Sequence, residues 1–198
     1  MIPGLILAAG RSTRMGRSKA LLQVPHTSKT FVAQIAATLL AGGVSDAIVV
    51  GRPDDEALRV EVERLQASVR FVENRAADLG GQLSSVIAGL NAADHPGTRA
   101  ILVTPVDMPL ITAPTVAALL TAFGRGTAPV VRATHCGRHG HPVVFGRAVF
   151  AALRRADPAL GAKAVLRENF VADVEVEDGG VLRDIDTPED YERLLGNP

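Results

Sequence analysis

Residues Leu7–Lys19 read LAAGRSTRMGRSK and join an apolar run to a strongly polar loop. The apolar part is typical of a buried strand that stops at Gly10. The loop that follows is rich in glycine, arginine, lysine and hydroxyl side chains. Glycine lets backbone N–H groups approach an oxyanion closely, and Arg and Lys supply positive charge and several donors. We therefore predict that this loop binds an anion, and we interpret it as a loop that holds a triphosphate.

The spacing within this loop does not fit the two commonest phosphate-binding signatures. Gly10 and Gly16 are not placed as in a Walker A loop, and no Ser or Thr follows Lys19. The G-x-G-x-x-G fingerprint of dinucleotide-binding folds is also absent. The alternative interpretation is a solvated basic loop without a ligand.

The composition restricts the class of protein. The 198 residues include 47% hydrophobic residues, and 21 Lys and Arg balance 21 Asp and Glu, so no global charge attracts nucleic acid or an anionic membrane. The single cysteine, Cys136, excludes an internal disulfide and suits a reducing compartment. We find neither a signal peptide nor a run of roughly 20 apolar residues. These observations predict a cytoplasmic protein that binds neither nucleic acid nor a membrane.

Strands and helices alternate along the chain, which predicts an α/β fold with a mostly parallel, Rossmann-like sheet between two helical layers. The predicted strands are Gly4–Ala9, Ala47–Val50, Val69–Val72, Ala100–Val103, Val130–Val131, Val143–Phe145, Val171–Val176 and Val181–Leu182. The predicted helices are Phe31–Leu40, 54–66, Val86–Ala93, Ala113–Phe123, Arg147–Arg155, Ala162–Glu168 and a last one that ends near Leu195. Residues 80–85 and 134–141 are predicted to be loops. No linker divides the chain, so we predict one domain over residues 1–198.

Two aspartates lie at positions suited to binding a metal ion. Asp107 follows a buried strand, and its flanking prolines should turn the chain away from the sheet. Its carboxylate would then lie over the sheet edge, where a hard cation bridging phosphates could use it. Asp186 directly precedes a helix that Thr187 and Pro188 should begin. We interpret Asp107 and Asp186 as metal ligands, with a turn or another local role as the alternative for each.

The stretch His135–His141, HCGRHGH, has three interpretations. A zinc site would need four ligands crowded into seven residues, with no partner cluster elsewhere. An acceptor-binding loop would use Arg138, His139 and His141 to contact an acidic substrate. An ordinary surface hairpin is the third possibility. Nothing in the chain resembles a Ser/His/Asp or Cys/His nucleophile arrangement.

The Leu7–Lys19 stretch resembles the signature of nucleotidyltransferases of the nucleotide-diphospho-sugar transferase type. Within that group the chain is similar to the MobA/MocA-like family, the molybdenum cofactor cytidylyltransferases and their guanylyltransferase relatives. Further matching stretches are Leu83–Ser85, Pro105–Leu110, Gly140–Pro142 and Asp184–Asp190. They follow the family's order over nearly the whole chain.

The resemblance implies transfer of CMP from CTP to the terminal phosphate of a molybdopterin-type cofactor, with release of pyrophosphate and with Mg²⁺ as cofactor. It implies catalytic roles for Arg14, Lys19 and Asp107, and a metal site at Asp107 with either Asp186 or Asp184. The nucleotide-binding positions that it implies are Leu7, Ala8, Ala9, Gly10, Arg11, Ser12, Arg14, Lys19, Leu83, Ser84 and Ser85. A molybdenum hydroxylase or its chaperone would be the protein partner.

The same resemblance favours CTP over GTP. Ala9 stands where the guanylyl branch has the first glycine of Leu-Ala-Gly-Gly, and Leu83–Ser85 resembles the cytidylyl branch. Gln82 departs from the cytidylyl pattern Gly-Leu-Ser-Ser, so GTP remains an alternative. Methylerythritol phosphate or a sugar phosphate are alternative acceptors. A non-catalytic cofactor chaperone is a further alternative, against which Lys19 and the two aspartates argue.

Overall fold

Seven strands form one sheet in the computed structural model, which describes residues 1–196. The strands are β1 (Gly4–Leu7), β2 (Ala47–Gly51), β3 (Val69–Glu73), β4 (Ala100–Pro105), β5 (Val130–His135), β6 (Arg138–Gly146) and β7 (Val171–Glu175). The helices are α1 (Phe31–Ala41), α2 (Glu56–Glu63), α3 (Ala77–Ala93), α4 (Ala113–Gly124), α5 (Phe150–Arg155), α6 (Lys163–Glu168) and α7 (Pro188–Gly196). The strand order is β3-β2-β1-β4-β6-β5-β7, and only β6 runs antiparallel to its neighbours. The predicted α/β fold is confirmed.

The sheet carries one apolar cluster on each face. Leu5 and Ile6 follow each other in β1 and are both fully buried, but they point to opposite faces. Ile6 packs with Ile35 of α1, whereas Leu5 packs with Leu90 of α3. These two clusters create the three layers that the alternating sequence predicts.

The strand order reverses around β1, which lies between β2 and β4. The last residue of β1, Leu7, pairs with Val50 of β2 and with Pro105 of β4. The three strands therefore end at the same edge of the sheet. In open α/β sheets this edge, beside the reversal of strand order, is where ligands bind.

Several predicted boundaries are wrong in detail. The first strand ends at Leu7, although the Ala8 N–H still donates to the carbonyl of Val50 over 2.8 Å before the loop begins. Residues 181–182 belong to a short 3₁₀ helix, Gly179–Leu182, and are not a strand. Residues 80–85 lie within α3 instead of a loop, although Gly81 interrupts the helix with φ +54° and ψ −148°. Glycine adopts this conformation readily because it has no Cβ.

The region predicted as a loop over residues 134–141 is a β-hairpin. Thr134 pairs with His139 and His135 pairs with Arg138, so β5 and β6 continue almost to the turn. Cys136 and Gly137 make the turn with φ values of +50° and +71°. The polar sequence hid these strands because β5 is paired on both sides, with β6 and β7, and backbone pairing supports it.

Within residues 1–196 no helix has the length and apolar character that a membrane span requires.

Candidate active site

Ser12 shapes the loop between β1 and α1. Its φ of +50° brings its carbonyl oxygen within 3.0 and 3.1 Å of the backbone N–H groups of Met15 and Gly16. Its hydroxyl accepts a hydrogen bond of 3.2 Å from the backbone N–H of Lys19. Met15 is buried against Phe31 and anchors the loop, a role that the polar composition of the loop had hidden. The loop is therefore ordered by its own residues, and Ser12 positions Lys19.

Lys19 lies between two carboxylates. Its Nζ is 3.2 Å from Oδ2 of Asp107 and also donates to Oδ1 of Asp186. Nη1 of Arg14 lies 3.0 Å from Oδ2 of Asp186. The Lys19 side chain is 11% exposed, so its charge is largely removed from solvent. The structure thus brings Arg14, Lys19, Asp107 and Asp186 together in one cluster, which we call the charged cluster.

The polypeptide segments that carry Asp107 and Asp186 are bonded to each other. The backbone N–H of Ile185 donates to the carbonyl of Asp107 over 2.8 Å. Thr187 and Asp190 cap each other at the start of α7, because the Thr187 N–H donates to Oδ2 of Asp190 and the Asp190 N–H donates to the Thr187 hydroxyl. The cap gives Thr187 the helix-starting role predicted for it. It leaves the carboxylate of Asp186 free to face Lys19.

The two carboxylates of the charged cluster differ in pKa. Burial raises the pKa of Asp107, and the nearby Lys19 charge opposes that rise. The hydrogen bond from Lys19 holds the pKa of Asp186 below its usual value. Two cations therefore balance two carboxylates in the cluster.

The donor set of the charged cluster fits Mg²⁺ bound together with a phosphate. Asp107 and Asp186 converge on one Nζ, and their side chains are 24% and 29% exposed, so part of each remains accessible. Mg²⁺ in phosphate-handling sites commonly takes one or two carboxylates, with phosphate oxygens and water completing its shell. The protein does not supply a complete set of metal ligands by itself, since residues 1–196 contain no cluster of three or more His, Cys, Asp or Glu suited to a metal. Asp184 is exposed and lies outside the cavity next to the cluster.

A cavity of about 380 Å³ opens above the charged cluster, and we call it the loop cavity. The predicted nucleotide-binding residues that line it are Leu7, Ala8, Ala9, Gly10, Arg11, Ser12, Arg14, Lys19 and Ser85. Asp107 and Asp186 line it as well. Nine of the eleven predicted nucleotide-binding residues thus meet at one cavity, which leaves out Leu83 and Ser84.

Leu83 and Ser84 lie elsewhere because of the local geometry of α3. The Ser84 hydroxyl donates to the Gly81 carbonyl over 2.7 Å and accepts from Nδ2 of Asn74 over 2.8 Å. Leu83 is buried and lines a second cavity between α3, β6 and the segment before α6. Asn74, itself buried, also donates to the Ser85 hydroxyl over 2.9 Å. Asn74 thus positions the serines, a role that no sequence pattern indicated.

A second charged group lies at the other end of the loop cavity. Asp78, in the first turn of α3, accepts two hydrogen bonds from Arg11, of 2.8 and 3.0 Å, and one of 2.6 Å from Arg52. These bonds hold the pKa of Asp78 well below its usual range, with Arg52 the larger cause. Arg52 is only 13% exposed on its side chain and directly follows β2. Its place at a strand end is the sequence signal that could have revealed it.

The residues predicted to bind the acceptor lie beside the charged cluster. Arg138, His139 and His141 line a groove of about 350 Å³ together with Asp107 and Asp186, and we call it the hairpin groove. Gly140 permits this approach, because a Cβ there would lie 2.2 Å from the carbonyl oxygen of Val181. Burial lowers the pKa of His141. The stretch therefore forms a hairpin, and that hairpin lies beside the charged cluster.

The profile of the MobA-like NTP transferase domain matches residues 4–174 of this sequence. The chain belongs to this family. The match runs from β1 into β7 and includes Asp107 and every residue that lines the loop cavity except Asp186. It confirms the resemblance found in the sequence, and it makes the protein a nucleotidyltransferase of the MobA type.

Two relatives show how far the similarity extends. Nicotine blue oxidoreductase from Paenarthrobacter nicotinovorans is 32% identical over 98% of this chain and 96% of its own length. Molybdenum cofactor guanylyltransferase from Xanthomonas euvesicatoria pv. vesicatoria is 39% identical over 59% of this chain and 52% of its own length. The second alignment thus spans only about half of that relative.

Solved structures confirm the fold. Rv0371c from Mycobacterium tuberculosis H37Rv superposes with a TM-score of 0.83 at 27% identity and 100% coverage of both chains. Rv0371c in complex with manganese superposes with a TM-score of 0.75 over 100% of this chain and 99% of that one. CMP:2-keto-3-deoxy-manno-octonic acid synthetase complexed with CTP gives 0.75 at 15% identity, over 98% and 97% of the two chains, which is a likeness of fold alone. The sheet is that of the nucleotide-diphospho-sugar transferases.

Proposed function

We propose that this protein transfers CMP from CTP to the terminal phosphate of a molybdopterin-type cofactor and releases pyrophosphate. The observation that carries the proposal is the placement of Lys19 between Asp107 and Asp186, below a loop rich in glycine and arginine. Nucleotidyl transfer needs positioning and neutralisation of charge, and it requires no protein nucleophile. The charged cluster supplies what that reaction needs.

In the proposed reaction a terminal phosphate oxygen of the acceptor attacks the α-phosphorus of CTP. A new phosphorus–oxygen bond forms in line with the bond to the β-phosphate, which breaks, and the electron pair leaves with pyrophosphate. Lys19 and Arg14 reach the loop cavity with donors for the non-bridging oxygens. Backbone N–H groups of the glycine-containing loop add fixed dipoles that cost little reorganisation during the reaction.

The proposal includes Mg²⁺ as cofactor. Asp107 and Asp186 would hold the ion, which would neutralise charge on the phosphates when bound. The manganese complex of Rv0371c supports a divalent cation in this fold. The test is pyrophosphate release with EDTA and then with Mg²⁺ restored. Activity that survives thorough chelation would contradict this part of the proposal.

We propose CTP as the nucleotide, with GTP as the alternative. Ala9 lines the loop cavity at the position where the guanylyl branch carries glycine. The relative named molybdenum cofactor guanylyltransferase keeps GTP in consideration. The test compares the rise in melting temperature caused by each nucleoside triphosphate with Mg²⁺, since the ligand that binds the native state most tightly stabilises it most. A larger rise with GTP than with CTP would reverse the assignment.

We propose a molybdopterin-type acceptor. The relative named molybdenum cofactor guanylyltransferase supports it. Further support is that Arg138 and His139 line the hairpin groove together with Asp107, so these two side chains could contact an acidic substrate there. The test is pyrophosphate release with CTP and, in turn, molybdopterin, methylerythritol phosphate and a sugar phosphate. If pyrophosphate is released with methylerythritol phosphate or a sugar phosphate and not with molybdopterin, the protein would be assigned to another branch of the family.

The alternatives from other classes have their own readouts. A cofactor chaperone that hands its cargo to a molybdenum hydroxylase would bind nucleotide in calorimetry without releasing pyrophosphate with any acceptor. A redox activity, as in the name of the Paenarthrobacter relative, would oxidise NADH or NADPH in the presence of a dye without consuming CTP. Intact Lys19, Asp107 and Asp186 favour the transferase.

A further inference from the structure

The second cavity, which we call the apolar cavity, differs in character from the site above. It measures about 450 Å³, against about 380 Å³ for the loop cavity. Its walls include Leu83 and Val86 of α3, Val143 and Phe145 of β6, and Leu160 and Leu166 near α6. Leu160 is 51% exposed at its mouth. Open apolar cavities of several hundred Å³ are typical of small-molecule sites.

The apolar cavity is connected to the site where transfer would occur. Leu7 and Gln82 line both the apolar cavity and the loop cavity. Gln82, His139 and His141 line both the apolar cavity and the hairpin groove, which also contains Asp107. A single ligand can therefore lie in the apolar cavity and extend a phosphate towards the charged cluster. Gln82, the residue that departs from the family pattern, stands at the junction of all three spaces.

The rim of the apolar cavity carries positive charge, and a polar atom without a partner lies buried behind its wall. Lys163 lies on the rim, and among residues 1–196 it takes part in no ion pair. Arg132 and His139 also lie there, and both are paired with Asp173. Nδ1 of His141 is buried and has no hydrogen-bond partner within the described part of the chain. The walls therefore suit an apolar body, and the rim suits an anion.

We propose that the apolar cavity holds the flat fused-ring heterocycle of the phosphorylated acceptor while its phosphate reaches the charged cluster. This inference rests on the proposed function and deepens it, because it separates the candidate acceptors by chemistry. A polyol or sugar phosphate would bury hydroxyl groups against leucine, valine and phenylalanine without partners, at a cost in free energy. A ring system presents apolar faces to those walls and keeps its polar edge for Gln82 and the rim.

The proposal changes the role of Leu83. The family resemblance implied that this residue binds the nucleotide, but it faces the apolar cavity and is absent from the lining of the loop cavity. The helical period is the physical reason. Leu83 and Ser85 both follow Gly81 in α3 and are two residues apart, so their side chains point to nearly opposite sides of the helix, Ser85 towards the loop cavity and Leu83 towards the apolar one.

The experiment measures binding of pterin-6-carboxylate, a fluorescent, flat and anionic fused ring, to the full chain without nucleotide. The variant is Leu160→Asp, and the matched control is Leu195→Asp. The two leucines are 51% and 49% exposed, so neither substitution threatens the core, and Leu195 lies on α7 outside the three cavities. We expect Leu160→Asp to weaken pterin binding at least about tenfold, because it places a charge at the mouth of an apolar space. Leu195→Asp should leave binding within about twofold.

The outcomes separate this inference from the proposed function. Three results would each overturn the inference. They are equal affinity for the pterin in wild type and Leu160→Asp, no binding by the wild type, and displacement of the pterin by methylerythritol phosphate. Pyrophosphate release from CTP and molybdopterin with an unchanged acceptor KM in Leu160→Asp would overturn it too, and would leave the proposed function standing. If the pterin binds and Leu160→Asp weakens it, but no acceptor releases pyrophosphate, the cavity assignment holds and the proposed function fails. As a control, CTP should raise the melting temperature of wild type and of Leu160→Asp by the same amount, which would confirm that the loop cavity is intact.

Discussion

Asp107 and Asp178 are two partly buried carboxylates whose surroundings differ. Asp107 follows β4 and contacts a cation, Lys19, which it shares with Asp186. Asp178 lies before the 3₁₀ helix, and all its hydrogen bonds come from neutral groups of the fold. Its Oδ2 accepts from the backbone and hydroxyl of Thr112, at 2.9 and 2.8 Å, and from the hydroxyl of Thr115, at 2.7 Å. Its Oδ1 accepts from the Gly180 N–H at 2.9 Å.

The difference distinguishes a structural carboxylate from a reactive one. Asp178 is saturated by donors that cannot leave without unfolding the start of α4 and the 3₁₀ helix. The partner of Asp107 is a side chain that can turn to another anion, and part of the Asp107 side chain faces the loop cavity. We infer that loss of Asp178 damages the fold, whereas loss of Asp107 damages the reaction.

The largest expected effect follows replacement of Asp107 by alanine. We expect turnover to fall by about 10²–10³, the loss typical of removing one preorganised group from a site of charge stabilisation. The melting temperature should change little, since Asp107 contributes its backbone carbonyl, and not its side chain, to the bond with Ile185. The measurement is kcat for pyrophosphate release together with a thermal melt. Near-normal turnover in Asp107→Ala would refute its catalytic and metal-binding roles.

The second expected effect is on stability. Asp178→Ala removes the acceptor of four hydrogen bonds and leaves the hydroxyl of the buried Thr115 without it, whereas Thr112 is exposed and can bond to water. We expect a loss of about 1–3 kcal/mol in the free energy of unfolding, with kcat retained at temperatures where the variant is folded. Asp173→Ala is the control, because Asp173 is exposed and its partners, Arg132 and His139, are side chains and not the backbone or hydroxyl groups that bind Asp178. Equal loss in the two variants would contradict the structural role of Asp178.

The pH dependence of the free energy of unfolding tests the structural role of Asp178. Burial alone would raise the pKa of Asp178, but hydrogen bonds from Thr115 and Thr112 outweigh it and hold the pKa below its usual value. The unfolded chain then takes up this proton more readily than the folded one. The stabilisation by Asp178 is therefore present at neutral pH and is lost as the pH falls from about 5 towards 3. The stability gap between wild type and Asp178→Ala should narrow over that interval.

Arg14 provides a smaller test of the charged cluster. The variant Arg14→Gln removes the cation 3.0 Å from Asp186 but leaves the more buried Lys19 in place. Because the Arg14 side chain is 69% exposed, solvent weakens its contribution, and we expect kcat/KM for CTP to fall only about tenfold. The matched control is Arg17→Gln on the same loop, since Arg17 lies over the ring of Tyr191 and outside the loop cavity. Similar losses in both variants would point to general loop charge instead of a specific contact.

The sequence predicted the elements that apolar periodicity controls. β1, β2 and β4 are buried along nearly their whole length, so their apolar runs carried the signal. Periodicity could not predict the hairpin of β5 and β6, because Thr134, His135, Arg138 and His139 are held by backbone pairing and not by apolar packing. The 3₁₀ helix at Gly179–Leu182 was mistaken for a strand for a related reason. Its valine and leucine pack onto the core in a turn too short to show a period.

The placement of the candidate site was predictable where its residues stand in recognisable stretches: Asp107 shortly after β4, Lys19 at the end of the glycine-containing loop, and Asp186 just before α7. Asn74 and Arg52 were missed because each acts through a contact distant in sequence, Asn74 with two serines of α3 and Arg52 with Asp78. Leu83 was assigned to the nucleotide because a motif gives the order of residues but not the direction of their side chains. Residues 80–85 were predicted to be a loop, so the opposite directions that Leu83 and Ser85 take on a helix were not foreseen.

The smallest expected effect concerns Asp184, which the sequence could not separate from Asp186 as second metal ligand. Asp186 contacts Lys19 and Arg14 and lines the loop cavity, whereas Asp184 is exposed and lines only the hairpin groove. Asp184 raises the pKa of Asp107 by its charge alone, and it is the last of the causes of that shift. We therefore expect Asp184→Asn to change kcat within about twofold, while Asp186→Asn, measured in parallel, should lose turnover as Asp107→Ala does. A large loss in Asp184→Asn with a small one in Asp186→Asn would reverse the assignment, because it would mean that the carboxylates exchange places when substrate binds.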